Sequence, residues 1–343
     1  MNGRAVLPIA LGAAALLLIS ALLTGWVRRL ALAHKVLDVP NKRSSHRAPT
    51  PRGGGMAIVV SLLAAVAVLG AVGLMPSRLA TALWLSGGVV AVVGFLDDKR
   101  HVAATVRLTV HFAAVSLFVW SRGRLPPIDF GIAVCDMGYA GSVVGILALV
   151  WFLNLYNFMD GIDGIASVEA ISIAAAAALI LVMRGIESPA IPLLLFMAAA
   201  VGGFLVWNWP PARIFMGDAG SGFLGFVLGA IAWTTAASGE LSVWFWLILF
   251  GAFFVDATLT LLRRWRLGEP LAAAHRSHAY QRLSRRLGSH RTVTLGCLAV
   301  NVLWLAPLAW LAAARPSWGA LLVLVAWAPL CIYVWRSGAG LPD

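Results

Sequence analysis

Charge is scarce in this chain. Of its 343 residues only 12% are Asp, Glu, Lys or Arg, 14 of them acidic, while 61% are hydrophobic. So few charges cannot keep the surface of a water-soluble protein of this length wetted, which excludes an ordinary globular enzyme. Cysteine is also scarce. Cys135, Cys297 and Cys331 show no paired spacing, and the last two fall in apolar runs, so no disulfide framework or zinc site is indicated. There is no soluble domain, sustained heptad or internal repeat. The net charge of +12 could suggest nucleic acid, but the basic residues are divided among short polar segments between apolar runs. Anionic headgroups or a phosphorylated substrate explain that distribution, and no nucleic-acid partner is expected.

What the chain has is long apolar runs, and about 20 such residues cross a bilayer as helix. Eleven candidate spans lie near residues 5–27, 56–75, 79–96, 103–120, 140–156, 165–183, 190–207, 222–238, 242–262, 292–314 and 318–335. The expected fold is all-α, a polytopic integral membrane protein forming one domain over 1–343. The first run has no obvious small-residue cleavage site and ends in Arg28 and Arg29, so it reads as a retained helix rather than a signal peptide. Basic residues accumulate in cytosolic loops. With the N-terminus outside, most of the 26 Lys and Arg residues, including all eight arginines between 263 and 291, fall inside with the C-terminus.

The polar sequence on that side occupies loops at about 28–55, 97–102, 157–164, 208–221 and 263–291, whereas the opposite connections are bland, 121–139 reading as a plain turn-rich connector. Carboxylates near a bilayer are costly and tend to hold ions or substrates. Asp97 and Asp98 end the third span, Asp160 and Asp163 the fifth, Asp218 precedes the eighth, and Asp256 sits inside the ninth. Any one of them could simply end its helix at the interface, but together they are no random scatter. Asn157, Asp160 and Asp163, three residues apart, would share one helical arc, and Gly161 and Gly164 would break the helix so that backbone approaches a ligand. Carboxylates without Cys partners or a suitable His pair favour a hard cation, Mg2+ with phosphate above all. The glycine-rich "NWPPARIFMGDAGSG" around Asp218 suits a phosphate oxygen, although glycines also serve tight helix packing.

In "HRSHAYQRL" the spacing predicts His275 and His278 on one helical face. The surrounding arginines would repel a cation, so the histidines read as donors to a phosphate or sugar. The downstream "RLSRRLGSHR" reads as a solvated interfacial helix. Arg107, with His111 four residues on, needs an anionic partner, either an aspartate or a lipid phosphate. Glu169 reads as a helix-to-helix contact.

Five motifs, "SSHRAPTPRGGG", "GFLDDKR", "NLYNFMDGIDG", "NWPPARIFMGDAGSG" and "HRSHAYQRL", occur in the order of the cytosolic motifs of the polyprenyl-phosphate N-acetylhexosamine-1-phosphate transferases. That family also contains phospho-N-acetylmuramoyl-pentapeptide transferase. The resemblance covers about residues 40–282. It implies transfer of a HexNAc-1-phosphate from a UDP-sugar to undecaprenyl or another polyprenyl phosphate at the bacterial inner membrane, with Mg2+, or Mn2+ in its place, as cofactor. Asp97, Asp98 and Asp160 match catalytic aspartates, Asp97 as the base. Asp218, with Asp98 and Asp160, matches metal ligands. Asn157, Asp163, Asn208, Phe215, His275, Arg276, His278, Arg52 and Arg107 are the expected substrate contacts, Phe215 matching an aromatic that stacks on uracil. The histidine loop departs from the His-His-His of the muramoyl-pentapeptide enzymes and, with "SSHRAPTPRGGG", is more similar to the branch that starts O-antigen and other cell-surface glycans. A homodimer is compatible with this reading. The competing classes are an anion or proton-coupled transporter, which would carry midplane carboxylates and repeats, and a lipid pyrophosphate phosphatase, which would have no nucleotide pocket.

Overall fold

The computed structural model describes residues 3–40, 48–100, 102–270 and 275–342. Fourteen α-helices among them carry the fold: α1 Gly3–Ala33, α2 Gly55–Ala71, α3 Ser77–Lys99, α4 Ala104–Arg122, α5 Gly138–Met159, α6 Ile165–Met183, α7 Ala190–Asn208, α8 Asp218–Ala237, α9 Val243–Leu249, α10 Gly251–Arg266, α11 Ala279–Leu287, α12 His290–Val300, α13 Ala306–Ala314 and α14 Gly319–Arg336. The chain is an all-α, multi-pass membrane protein. Nine helical stretches among the described residues are long and apolar enough to cross a bilayer, α12 and α13 counting as one through the π-helical turn Asn301–Leu305. The pair α9 and α10, bent by 76°, is apolar and long enough for a tenth only when its two helices count as one broken span rather than a re-entrant loop. The eleventh expected span is α2, which at 17 residues is shorter than the rest.

Helix α8 stands at the centre, and every residue from Ala219 to Ala236 is buried. A helix apolar on all sides must be covered on all sides, and α2, α3, α4, α5 and α6 surround it. Close approach is possible because its first turns are small. A Cβ on Gly55 of α2 would lie 2.4 Å from the Cα of Gly220, and one on Gly94 of α3 would lie 2.7 Å from the backbone of Ala219. Both glycines therefore lock neighbouring helices onto the N-terminus of α8. Glu169 in α6 accepts from the side-chain amide of Asn301 at 2.6 Å, a helix-to-helix contact as the sequence suggests.

Among the described residues, strand-like pairing is confined to two short antiparallel pairs. In the first, β1 (Leu37–Asp38) pairs antiparallel with β2 (Thr50–Pro51). In the second, β3 (Ile128–Asp129) pairs with β4 (Val134–Cys135), so the segment expected as a plain connector is ordered, with the Trp244 indole donating to the Asp129 carbonyl at 2.7 Å.

Candidate functional site

The β1–β2 pair is where the site begins. Beyond β2 the chain runs beside the segment before α8: Phe215 N–H donates to Pro51 O at 2.8 Å, Gly54 N–H to Phe215 O at 2.9 Å and Gly55 N–H to Met216 O at 2.8 Å. This backbone ladder carries Arg52 to the acidic end of α8. One guanidinium nitrogen of Arg52 lies 2.9 Å from Asp98 Oδ1 and 2.9 Å from Asp218 Oδ1. Opposite it, Arg107 in the first turns of α4 pairs with Asp97 and reaches Asp218 Oδ2 at 3.2 Å. Two arginines thus bridge three carboxylates supplied by α3 and α8. Lys42, Arg43 and Arg47 of the same basic loop lie outside the described residues.

Asp98 does more than pair. Its two oxygens accept the backbone N–H groups of Asp218 (2.9 Å) and Ala219 (3.1 Å), capping α8 from a neighbouring helix. The sequence suggests that the glycine-rich turn leaves those N–H groups for a phosphate. Instead the Asp98 carboxylate holds them, and the glycines serve the close helix packing. Asp97 Oδ1 likewise accepts the Val102 N–H at 2.8 Å.

The α5–α6 connection divides its residues between two places. Helix α5 ends at Met159, so Asn157, Asp160 and Asp163 do not share a helical arc. Asn157 donates to Ser221 Oγ at 2.9 Å, tying α5 to α8. Burial and the negative Asp218 push the Asp160 carboxyl up to about 7, with Arg52 offsetting only part of that. Gly161 is approached not by open space for a ligand but by Tyr280, whose hydroxyl would lie 2.2 Å from an added Cβ.

Asp163 turns the other way. Its Oδ2 accepts the Ala212 N–H at 3.0 Å, its Oδ1 lies 3.3 Å from His290 Nδ1, and its carbonyl accepts from Thr294 Oγ1 at 2.9 Å. Both carboxylate oxygens are therefore engaged in holding neighbouring segments. Asn208, expected as a substrate contact, is buried, accepts the Gly164 N–H at 2.9 Å and donates to Ile214 O at 2.9 Å. With both ends of its amide bonded to backbone, it positions the loops.

The histidine loop also differs from expectation. His275 precedes α11 and His278 is its N-cap, so they do not share a helical face. Their rings lie 4.9 Å apart. His278 is 2% exposed, its Nδ1 lies 3.3 Å from Asp256 Oδ1, and Asp256 accepts the first N–H groups of α11 from Ala279 and Tyr280, each at 3.0 Å. His278 is thus part of a buried capping network rather than a ligand contact. His275 is half-buried, its Nδ1 3.0 Å from Ser277 Oγ. Burial, with His278 and Arg264 nearby, pushes it down to about 3.

Beside the acidic cluster lies a cavity of about 840 Å³. Phe215, Arg276 and Asp163 line it, together with residues the sequence reading passed over: Arg285, Arg291 and His290 of the α11–α12 turn. That turn was read as part of a solvated helix. The signal that marks it is Gly288 followed by Ser289: Gly288 ends α11 at φ +63° and Ser289 caps α12 by accepting the Thr292 N–H.

Mg2+ fits this site in kind but not as a finished cage. The donors are hard carboxylate oxygens, and three carboxylates, Asp97, Asp98 and Asp218, share two arginines. Yet among the described residues no three acidic, histidine or cysteine groups converge as a ready metal site. The Arg52 guanidinium lies between Asp98 and Asp218, so a cation bound by both would compete with Arg52 for their oxygens.

Comparison with known proteins gives the site its context. Residues 80–236 match the family model for glycosyl transferase family 4. The "Decaprenyl-phosphate N-acetylglucosaminephosphotransferase" of Mycolicibacterium smegmatis is 31% identical over 303 residues, covering 79% of this chain and 74% of the relative. The "Probable undecaprenyl-phosphate N-acetylglucosaminyl 1-phosphate transferase" of Bacillus subtilis is 29% identical over 81% of this chain and 78% of its own length. The "Phospho-N-acetylmuramoyl-pentapeptide-transferase" of Gluconobacter oxydans is 32% identical over 65% of this chain and 68% of its own.

Proposed function

The chain belongs to glycosyl transferase family 4, two of whose members named above are polyprenyl-phosphate transferases by name, and on that premise we propose that it transfers HexNAc-1-phosphate from a UDP-HexNAc to undecaprenyl phosphate or a similar polyprenyl phosphate. A lipid phosphate oxygen attacks the β-phosphorus of the donor, the bond from that phosphorus to the bridging oxygen breaks, and UMP leaves. The product is the polyprenyl-diphosphate sugar that starts a cell-surface glycan. One observation carries the reading: carboxylates from α3 and α8 meet two arginines beside a basic cavity that contains an aromatic ring.

The chemistry asks the protein to align two anions and to neutralise the charge between them. Arg107 pairs with Asp97 in this structure, and an arriving lipid phosphate is a stronger partner for the guanidinium. Moving Arg107 to that phosphate would release the Asp97 carboxylate to take its remaining proton. Bound by Asp218 with Asp98 and Asp160, Mg2+ or Mn2+ would offset the charge developing on the pyrophosphate. Asp98 keeps α8 in place throughout. An aspartyl-phosphate intermediate would use the same residues in two steps.

The distribution of basic residues among the loops supports a site on the cytosolic face of the bacterial inner membrane, with the N-terminus outside. The GlcNAc named for two relatives and the two-histidine form of the loop favour GlcNAc over the muramoyl-pentapeptide donor. Incubating the purified protein with undecaprenyl phosphate and a panel of UDP-HexNAc donors, with UMP as the readout, tests this directly. UMP release that requires the lipid supports the reading, and none with any donor overturns it.

A further inference from the structure

The bend between α9 and α10 lies in an apolar part of the chain, where water cannot satisfy the backbone groups that a break sets free. In an unbroken helix the Leu247 carbonyl would accept the Gly251 N–H. Here it accepts the indole N–H of Trp327, from α14, at 3.0 Å. The indole fits because residue 251 is glycine: a Cβ there would lie 3.0 Å from Trp327 Nε1 and 3.2 Å from Cδ1. Beyond the break, the first N–H groups of α10 have no helical carbonyl to meet. The Glu169 carboxylate of α6 faces one of them, at Phe253.

These contacts close into a ring. Glu169 accepts from Asn301 in the π-helical turn, Trp304 of the same turn donates to the Ala326 carbonyl at 3.1 Å, and the next residue of α14 is Trp327. The Trp327 ring also stacks on Phe254 of α10, with centroids 5.1 Å apart. The bend is therefore held from α6, the π-helical turn and α14. Its consequence lies further along α10, where Asp256 accepts the Ala279 and Tyr280 N–H groups that start α11. Helix α11 in turn carries Arg285 into the wall of the basic cavity. The direction α10 takes at the break sets where that wall stands.

We propose that Trp327 is a positioning residue for the donor site, holding the bend of α10 and, through Asp256, the place of α11. The inference rests on the reading of the protein as a UDP-sugar transferase. Full-length protein in detergent gives two separate readouts, UMP binding at equilibrium and backbone amide exchange by mass spectrometry. Trp327→Phe keeps an aromatic ring against Phe254 and loses the bond to Leu247. UMP affinity should fall up to about tenfold, the scale of one hydrogen bond. Exchange across Ala279–Leu287 should quicken while that of α7 stays as in the wild type, and KM for the lipid acceptor should not move. Gly251→Ala, which pushes the indole away, should give the same pattern. Trp246→Phe is the control, since it removes another buried indole hydrogen bond, 2.8 Å to Thr235 Oγ1, away from Trp327. It should leave UMP affinity and α11 exchange at wild-type values.

Unchanged UMP affinity and unchanged α11 exchange in both Trp327→Phe and Gly251→Ala overturn the proposal. Losses of the same size in Trp246→Phe, or equal losses for the lipid acceptor, would trace the effect to a general loosening of the helices and overturn it too. A wild type that binds no UMP would sink the functional reading, and exchange across α11 would still decide whether Trp327 holds that helix.

Discussion

The acidic cluster and the basic cavity share two connections, α5–α6 and α7–α8, yet they are built in opposite ways. The cluster is assembled from helix ends: Asp97 and Asp98 close α3, Arg107 opens α4, and Asp218 opens α8. Each is held by the bilayer-spanning body, whereas Asp160 comes from the α5–α6 connection and Arg52 is delivered by a loop, through the backbone ladder to Phe215. The cavity is assembled mainly from what lies between helices: the α7–α8 loop, the segment before α11 and the α11–α12 turn. The cluster's carboxylates sit on helix ends, whereas the cavity's arginines flank the α11–α12 turn and the start of α11. Phosphoryl transfer needs fixed geometry where bonds change, whereas donor selection tolerates, and profits from, walls that can be exchanged between relatives.

That comparison predicts a graded set of losses. The largest should come from Asp218→Asn, where the central carboxylate of the cluster loses its charge: kcat should fall about 10²–10³-fold, with a weaker response to Mg2+ in a metal titration. Full activity with an unchanged titration would break the contrast at its acidic end. Asp97→Asn should also lower kcat strongly and leave donor KM near the wild-type value. Its defect should shrink as pH rises and the lipid phosphate loses its proton without help, and a pH–rate series in which the defect stays constant would remove Asp97 as the base.

Asn208→Ala probes the seam between the two regions. Losing the bonds to Gly164 and Ile214 leaves buried backbone groups unpaired, at a cost of about 1–3 kcal/mol, and thermal unfolding in detergent should report it together with a drop in kcat. Unaltered melting would mean that the loops do not depend on this amide. The smallest effect belongs to His275. Held down to about 3, it is neutral across the working range, and raising the pH from about 5.5 to 8.5 should produce no step in donor KM that His275→Gln abolishes. A step lost in that variant would show that His275 titrates there after all.

Much of the acidic cluster was legible in the sequence, and little of the cavity was. Apolar runs of spanning length announce α1, α3 and the other long helices, and acids at their ends stand out because such residues are rare in this chain. Spacing alone could not say which acids meet. Asp160 and Asp163 are three residues apart, but the helix stops at Met159 and sends them to different places. Asp256 looked like a member of the same set, yet it caps α11. The bend between α9 and α10 left no mark, since "LILFGAFFVD" contains no proline and its one glycine is ordinary in a packed apolar helix. In the basic loop, arginines hide structure: "RLSRRLGSHR" has the composition of a solvated helix, and only its Gly-Ser pair signals that one helix ends and another begins.

The central claim is that the bond broken lies between the β-phosphorus of the donor and the oxygen bridging to UMP. A donor labelled at the β-phosphorus, incubated with the purified protein and polyprenyl phosphate, tests it in one experiment. The account predicts label in the lipid product, with one unlabelled UMP released per lipid formed. Label recovered as UDP or as inorganic phosphate would contradict it.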